Sequence, residues 1–261
     1  MSQVTGFDPG TRVGFFTDTS VCIGCKACEV ACKEWNGIDE TLTDLTAKSY
    51  DNTTDLGADA WRHVAFIEQR VAPAGEVRWL MSSDVCKHCT HAACLDVCPT
   101  GSLFRTEFDT VVVQADICNG CGYCVPACPY GVIDRRESDG RAWKCTMCYD
   151  RLVDGMAPAC AQSCPTDSIM FGDLAELRQR AGARLEELVD AGVPGAQLYG
   201  ADPNDGVGGT GAMFLLLDDP EVYGLPPDPV VTTRNLAAMW RAAGAAAVGL
   251  VGLIAAGAWR R

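Results

Sequence analysis

Apolar and polar residues fall at strand spacing in two neighbouring stretches, Arg62–Arg70 (RHVAFIEQR) and Glu76–Met81 (EVRWLM). They predict a β pair joined by a turn at Pro73–Gly75. Short apolar runs predict further strands at Thr110–Gln114 (TVVVQ), Thr166–Phe171 (TDSIMF) and Ala212–Leu217 (AMFLLL). The period becomes helical over Asp173–Ala191, where Leu174, Leu177, Ala181, Leu185 and Leu188 share one face. Asp173 is the N-cap, Glu176 completes a capping box and Gly192 ends the helix. That face predicts packing on the helix's own domain. Glu40–Ala60 reads as an acidic surface loop, Tyr199–Gly211 as a loop, and Pro220–Pro229 as an extended proline-rich connector.

The last pattern is of another kind. Ala242–Trp259 (AAGAAAVGLVGLIAAGAW) holds no charge. As a helix it spans about 27 Å, close to a hydrocarbon core of roughly 30 Å. Trp240 and Trp259 bracket it as interface residues, and Arg241, Arg260 and Arg261 can snorkel. Gly252 and Ala256 form a small-xxx-small pair suited to close helix packing. No polar face exists, so a surface-lying helix is disfavoured. The expectation is a single transmembrane helix in contact with membrane lipid.

Composition narrows the chemistry. The chain has 261 residues, 21 basic against 34 acidic side chains, and a net charge of −13. This balance repels nucleic acid, and no basic stripe offsets it. The only histidines are His63, His88 and His91. No acid–base pair or open metal site points to a self-contained enzyme. The start, MSQVTGFDPG, lacks the basic and apolar regions of a secretory signal.

Cysteine is the outlier: 16 residues in four quartets, with none left over. The first is Cys22, Cys25, Cys28 and Cys32. The second is Cys86, Cys89, Cys94 and Cys98, followed by Pro99. The third is Cys118, Cys121, Cys124 and Cys128, followed by Pro129. The fourth is Cys145, Cys148, Cys160 and Cys164, followed by Pro165. Quartets one and three have the C-x2-C-x2-C-x3-C run of bacterial ferredoxins. In the other two the middle gap widens. Disulfide scaffolds are usually small and secreted, and structural zinc usually takes separated C-x2-C pairs. A triplet plus one suits a [4Fe–4S] cube, whose four irons each take a thiolate. Three close cysteines wrap it in a loop whose N–H groups point at sulfur. The fourth is expected at the start of a helix, with Pro at its first position, facing the other cluster of a pair.

The ferredoxin rule then pairs the quartets. Quartets two and three form an inner unit: Cys86, Cys89 and Cys94 with Cys128, and Cys118, Cys121 and Cys124 with Cys98. By exclusion, quartets one and four form an outer unit: Cys22, Cys25 and Cys28 with Cys164, and Cys145, Cys148 and Cys160 with Cys32. The fold class is therefore α+β, with two ferredoxin-like units of two [4Fe–4S] clusters each, nested in sequence, plus the transmembrane helix. The outer unit covers 1–34 and 141–172, and the inner unit 82–135. An insertion with the β hairpin occupies 35–81, a C-terminal helix, loop and connector 173–235, and the transmembrane helix 242–259. All four clusters together read as a wire.

Cys22–Asn36 (CIGCKACEVACKEWN) resembles the iron–sulfur β subunit of respiratory, membrane-bound formate dehydrogenases. The likeness runs through CKHCTHAACLDVCPTGSL, DICNGCGYCVPACPYGV, RAWKCTMCYDRLVDGMAPACAQSCPTDSIMFGD, Gly206–Thr210 (GVGGT) and Pro220–Pro227 (PEVYGLPP), over nearly the full chain. It implies four [4Fe–4S] clusters on the pairing above. It implies a catalytic α partner with a molybdenum or tungsten bis-pterin cofactor, and a cytochrome b γ partner that passes electrons to quinone. The outer pair would lie nearest α and the inner pair nearest the membrane. The soluble part would face the outer, periplasmic side, exported with a Tat signal on α.

Several residues carry two readings. Lys144, beside Cys145, either raises a cluster potential by its charge or is a surface or interface lysine. His88 and His91 sit inside quartet two, which already supplies four thiolates, so loop packing or interface contact is expected of them over ligation. Val207–Thr210 is not a phosphate loop, because no Lys-Ser/Thr follows. Two other functions stay open: the same wire serving a polysulfide, sulfoxide or nitrite reductase or a hydrogenase, and clusters kept only as structural staples.

Overall fold

A computed structural model describes residues 6–8, 10–38, 51, 53, 55–71 and 76–259. The elements in chain order are β1 (Val13–Asp18), α1 (Ala27–Asn36), β2 (Arg62–Val71), β3 (Glu76–Val85), α2 (Ala93–Asp96), β4 (Leu103–Arg105), β5 (Val111–Val113), α3 (Cys124–Ala127) and β6 (Asp134–Arg135). They continue with β7 (Ala142–Trp143), α4 (Tyr149–Val153), α5 (Ala159–Gln162), β8 (Ile169–Asp173), α6 (Leu174–Asp190), β9 (Gln197–Tyr199), β10 (Ala212–Leu216) and α7 (Leu236–Trp259). The expected turn at Pro73–Gly75, most of the acidic stretch from Glu40, and Arg260 and Arg261 lie outside the described residues.

One sheet organises the chain, with strand order β8-β1-β10-β9. β1 runs parallel to β10 and antiparallel to β8, and β9 is antiparallel to β10. Side chains alternate between its faces, as the pleat dictates. Phe16, Met213 and Leu215 meet Leu174, Leu177, Ala181 and Leu188 of α6 in one core. Phe15, Ala212, Phe214 and Leu216 enter the other, among Cys28, Cys32, Cys86, Cys145 and Cys160. The helix begins at the expected N-cap: the Asp173 carboxylate accepts from the N–H groups of Ala175 (2.8 Å) and Glu176 (3.0 Å).

Several boundaries move, for identifiable reasons. β1 and β9 have no counterpart in the expected strands. Every residue of β1 is buried, so it lacks the alternation of a half-exposed strand. β8 begins three residues late because Asp167 takes a left-handed φ of +52° and Ser168 turns its hydroxyl to the Asp18 carbonyl at 2.7 Å. β3 runs on to Val85, opposite Arg62, and delivers the chain directly into Cys86. The connector is not extended throughout: Pro220–Tyr223 forms a 3₁₀ turn, and the Tyr223 hydroxyl accepts the Leu217 N–H at 3.1 Å. β10, from the 173–235 stretch, lies beside β1 within the sheet. That stretch is therefore woven into the body.

The terminal helix starts at Leu236, before the apolar run does. Its membrane-length portion, Ala237–Trp259, contains an 18-residue window with a mean hydropathy of 1.8 and has 23 residues in all. At about 1.5 Å per residue that is roughly 35 Å, enough to cross the hydrocarbon layer. None of it is buried, and Val248 and Leu253 are each 74% exposed. It is not a core helix. It is one apolar helix presented as a single-pass membrane anchor.

Candidate metal centres

The four triplet loops share one backbone device. Gly24 and Lys26 in the first, His88 in the second, Gly120 and Gly122 in the third, and Met147 and Cys148 in the fourth all have positive φ. For the non-glycine residues this costs about 1–2 kcal/mol each. The cost is typical of backbone held at a functional site. N–H groups are turned toward sulfur: Met147 donates to Cys145 Sγ at 3.2 Å and Ala142 to Cys118 Sγ at 3.4 Å.

The fourth cysteine departs from expectation. Cys32 lies inside α1, and Cys98, Cys128 and Cys164 come after the ends of α2, α3 and α5. The helix thus precedes the fourth cysteine. Pro99, Pro129 and Pro165 sit in turns, because proline lacks an N–H and pushes its predecessor to extended angles. Cys128 shows this, with φ −75° and ψ 117°.

The cysteines gather in groups that cross the quartets. Cys22, Cys25, Cys28 and Cys164 line one cavity. Cys32, Cys145, Cys148 and Cys160 line a second, and Cys86, Cys89, Cys94 and Cys128 a third. Cys124 lies within electrostatic reach of Cys118, Cys121 and Cys98. The groups are also ordered. Cys28 of the first senses Cys160 of the second, Cys145 of the second senses Cys86 of the third, and Cys94 of the third senses Cys124 of the fourth. Only Cys25 and Cys121 are exposed, one in each terminal group.

Burial shapes the electrostatics. It pushes the thiols of Cys145 and Cys94 up to about 12 and that of Cys148 up to about 11. A metal that deprotonates its thiol ligands removes that penalty. Cys98 is the exception. Burial works against its thiolate, but the Ser102 hydroxyl at 3.2 Å, the Thr100 hydroxyl and the N–H groups of Leu103 and Thr100 bring it down to about 6.

The groups also hold counter-charge. Arg62, Lys87 and Lys144 are each 1% exposed. Lys87 pairs with Asp84. Arg62 and Lys144 pair with no carboxylate among the described residues. Uncompensated buried cations are strongly disfavoured. Lys144 Nζ donates to the Val111 and Cys145 carbonyls and Arg62 Nη1 to the Ser83 carbonyl, and the groups that could answer their charge are sulfur: Cys86, Cys94 and Cys145 around Lys144, and Cys160, Cys28, Cys145 and Cys32 around Arg62. Arg62 lines the second cavity, and its Nε is buried with no partner. Thiolate-bound clusters, which are anionic and carry acceptor sulfides, fit these residues. Of the two readings of Lys144, the surface lysine is excluded.

Neither histidine of quartet two serves as an evident ligand. His88 is buried, and its Nδ1 accepts the Val111 N–H at 3.1 Å. His91 packs against Gly208, and its N–H donates to the Val207 carbonyl at 2.8 Å. The GVGGT segment thereby braces the widened loop of quartet two: the Thr90 N–H and hydroxyl both donate to the Gly209 carbonyl at 3.0 Å. Sequence reasoning missed Arg62, Ser83 and Lys87. Lys87 had a signal in its place beside Cys86. Arg62 had none, because its partner Cys160 is 98 residues away.

Known proteins identify the class of cofactor. The 4Fe-4S dicluster domain matches twice, over residues 21–102 and 77–174. The formate dehydrogenase iron-sulfur subunit of Haemophilus influenzae is 41% identical over 228 residues, covering 86% of this chain and 72% of that protein. The formate dehydrogenase-O iron-sulfur subunit of Escherichia coli is 40% identical over 94% of this chain and 81% of its own length. This chain is a member of the family of formate dehydrogenase iron–sulfur subunits. A subunit of the anaerobic dimethyl sulfoxide reductase of Escherichia coli is also similar, at 38%, but over 66% of this chain. Its match does not extend over the whole length that the formate dehydrogenase subunits share. Like its family, the chain carries four [4Fe–4S] clusters and is a non-catalytic electron relay.

Proposed function

We propose that this subunit carries electrons from a molybdopterin-type catalytic α subunit, containing molybdenum or tungsten and oxidising formate, to a cytochrome b γ subunit and quinone. The ligand sets are Cys22, Cys25, Cys28 and Cys164; Cys32, Cys145, Cys148 and Cys160; Cys86, Cys89, Cys94 and Cys128; and Cys98, Cys118, Cys121 and Cys124. The observation that carries this reading is the order of the four groups, with one exposed cysteine at each end. Each cluster, when bound, accepts and releases one electron. The protein's part is to fix spacing, exclude water and supply charge. The nested outer and inner units are its two halves.

The two ends suit different partners. Beside Cys25 stand exposed Ile23 (59%) and Val30 (60%), and beside Cys121 stand Ile117 (42%) and Tyr123 (63%). The Cys25 end takes electrons from α, and the Cys121 end gives them to γ. α7 anchors the chain in lipid, with the soluble part on the periplasmic side. The test is mass-spectrometric identification of chains that co-purify stoichiometrically from gently solubilised native membranes, with formate added to reduce the clusters. A molybdopterin-type chain and formate-dependent reduction are expected. A stoichiometric catalytic chain of another kind would keep the relay and reject the formate assignment.

A further inference from the structure

Arg62 opens β2 and reaches the space between the first two cysteine groups. Its Nη2 donates to Cys160 Sγ at 3.2 Å. Its Nη1 donates to the Ser83 carbonyl at 3.1 Å and to the Ser83 hydroxyl oxygen at 3.3 Å. That hydroxyl lies 3.2 Å from Cys28 Sγ. Having accepted from Arg62, Ser83 is free to donate its proton to Cys28. One guanidinium thus touches a ligand of the second group directly and a ligand of the first through a single hydroxyl. The Phe15 ring backs it, with the guanidinium carbon 4.8 Å from the centroid. Val64 and Ser83 stand opposite each other across the hairpin, two residues from the Arg62–Val85 pair, so the register of β2 and β3 fixes the arrangement.

We propose that Arg62 is the potential-setting residue of the first cluster-to-cluster electron step, raising the reduction potentials of both outer clusters, and that of the Cys160 cluster more. The inference rests on the ligand sets proposed above. The physical reason is local. An electron arriving on either cluster adds negative charge in a buried site, and a fixed cation stabilises it. Hydrogen bonds to cluster sulfur act in the same direction. The Cys160 cluster receives a charge-assisted bond, whereas the Cys28 cluster receives a neutral one polarised by the same cation. In the step itself one electron leaves the first cluster and enters the second. The first is oxidised and the second reduced, and no atom or proton moves. Arginine suits this role because it stays charged across the working pH range.

The experiment is a redox titration of the purified complex followed by electron paramagnetic resonance, with iron and sulfide analysis of every sample. Cys28→Ser and Cys160→Ser assign the signals. If both variants alter one and the same signal, the ligand sets are wrong, whatever Arg62 does. With the signals assigned, Arg62→Met is expected to lower the midpoint of the Cys160 cluster by at least a tenfold change in its one-electron equilibrium, about 59 mV. The Cys28 cluster falls by less. Arg62→Lys keeps the charge and recovers most of the shift. Ser83→Ala lowers only the Cys28 cluster. Full iron content with unmoved midpoints in Arg62→Met would overturn the proposal. If that variant loses iron, an unmoved Cys28 cluster in Ser83→Ala would overturn it instead.

Discussion

The two faces of the four-stranded sheet show two ways of holding a protein together. Met213 and Leu215 of β10 point toward α6 and join Leu174, Leu177 and Ala181 in a core that any soluble domain could contain. Ala212, Phe214 and Leu216 of the same strand point the other way, into the cysteine loops. There, apart from α1 and the β2–β3 hairpin, regular structure almost gives out. α2, α3 and α5 have four residues each, and β6 and β7 two. Isolated helices below about 12–15 residues are marginal in water, so these turns do not persist on their own hydrogen bonds. On the α6 face, apolar burial specifies structure. On the cysteine face, coordination does, because metal-binding free energy becomes folding free energy where no site is preformed.

The harshest way to break the comparison is to remove iron. Chelation of the reduced complex is expected to abolish hydrogen-exchange protection in α2 to α5 and in β4 to β7. Amides of α6 and of β10 keep theirs. Equal loss on both faces would mean that the chain is one cooperative unit, and the contrast would fail. On the other side, Leu177→Ala opens a cavity in the α6 core, where Leu177 is 5% exposed. Such truncations cost about 2–5 kcal/mol. The denaturation midpoint should fall while iron per chain stays constant.

A smaller effect probes the boundary between the two regimes. Gly208 has φ +75°, and a Cβ there would meet His91 Cδ2 at 2.6 Å and Nε2 at 2.8 Å. Gly208→Val therefore strains the brace on the quartet-two loop, by roughly 1–3 kcal/mol. The expected result is lower occupancy of the cluster proposed at Cys86, Cys89, Cys94 and Cys128, read as loss of its paramagnetic signal. Unchanged occupancy would show that the loop needs no brace once iron is bound.

The same contrast explains what could be read from the sequence. Coordination chemistry demands fixed spacings, so all sixteen cysteines stand out from their order along the chain alone. Leu174, Leu177 and Ala181 stand out because only one side of α6 is buried. β1 does not, because burial on both sides erases the polar half of the pattern. The buried cations are legible only where they neighbour a cysteine in sequence. Lys144 stands beside Cys145, whereas Arg62 meets Cys160 through the fold alone. The helix expected to begin at each fourth cysteine failed because the spacing fixes where sulfur must go but not which turn carries it there.

The finest test lies at Asp173, where β8 becomes α6. Its backbone pairs with Val13 in the sheet, and the next N–H, of Leu174, donates to the Arg12 carbonyl at 2.9 Å. Neither bond uses the side chain. The carboxylate serves only the helix, capping the N–H groups of Ala175 and Glu176. Asp173→Ala should therefore cost about 1 kcal/mol, within the usual range of roughly 0.5–2 kcal/mol for a lost N-cap, and Asp173→Ser should restore most of it. Hydrogen exchange should quicken at Ala175 and Glu176 while β8 and β1 stay protected and all four clusters keep their signals. If instead a cluster signal weakens, the two faces of the sheet share their stability through β8, and the α6 core is part of what holds the cysteines in place.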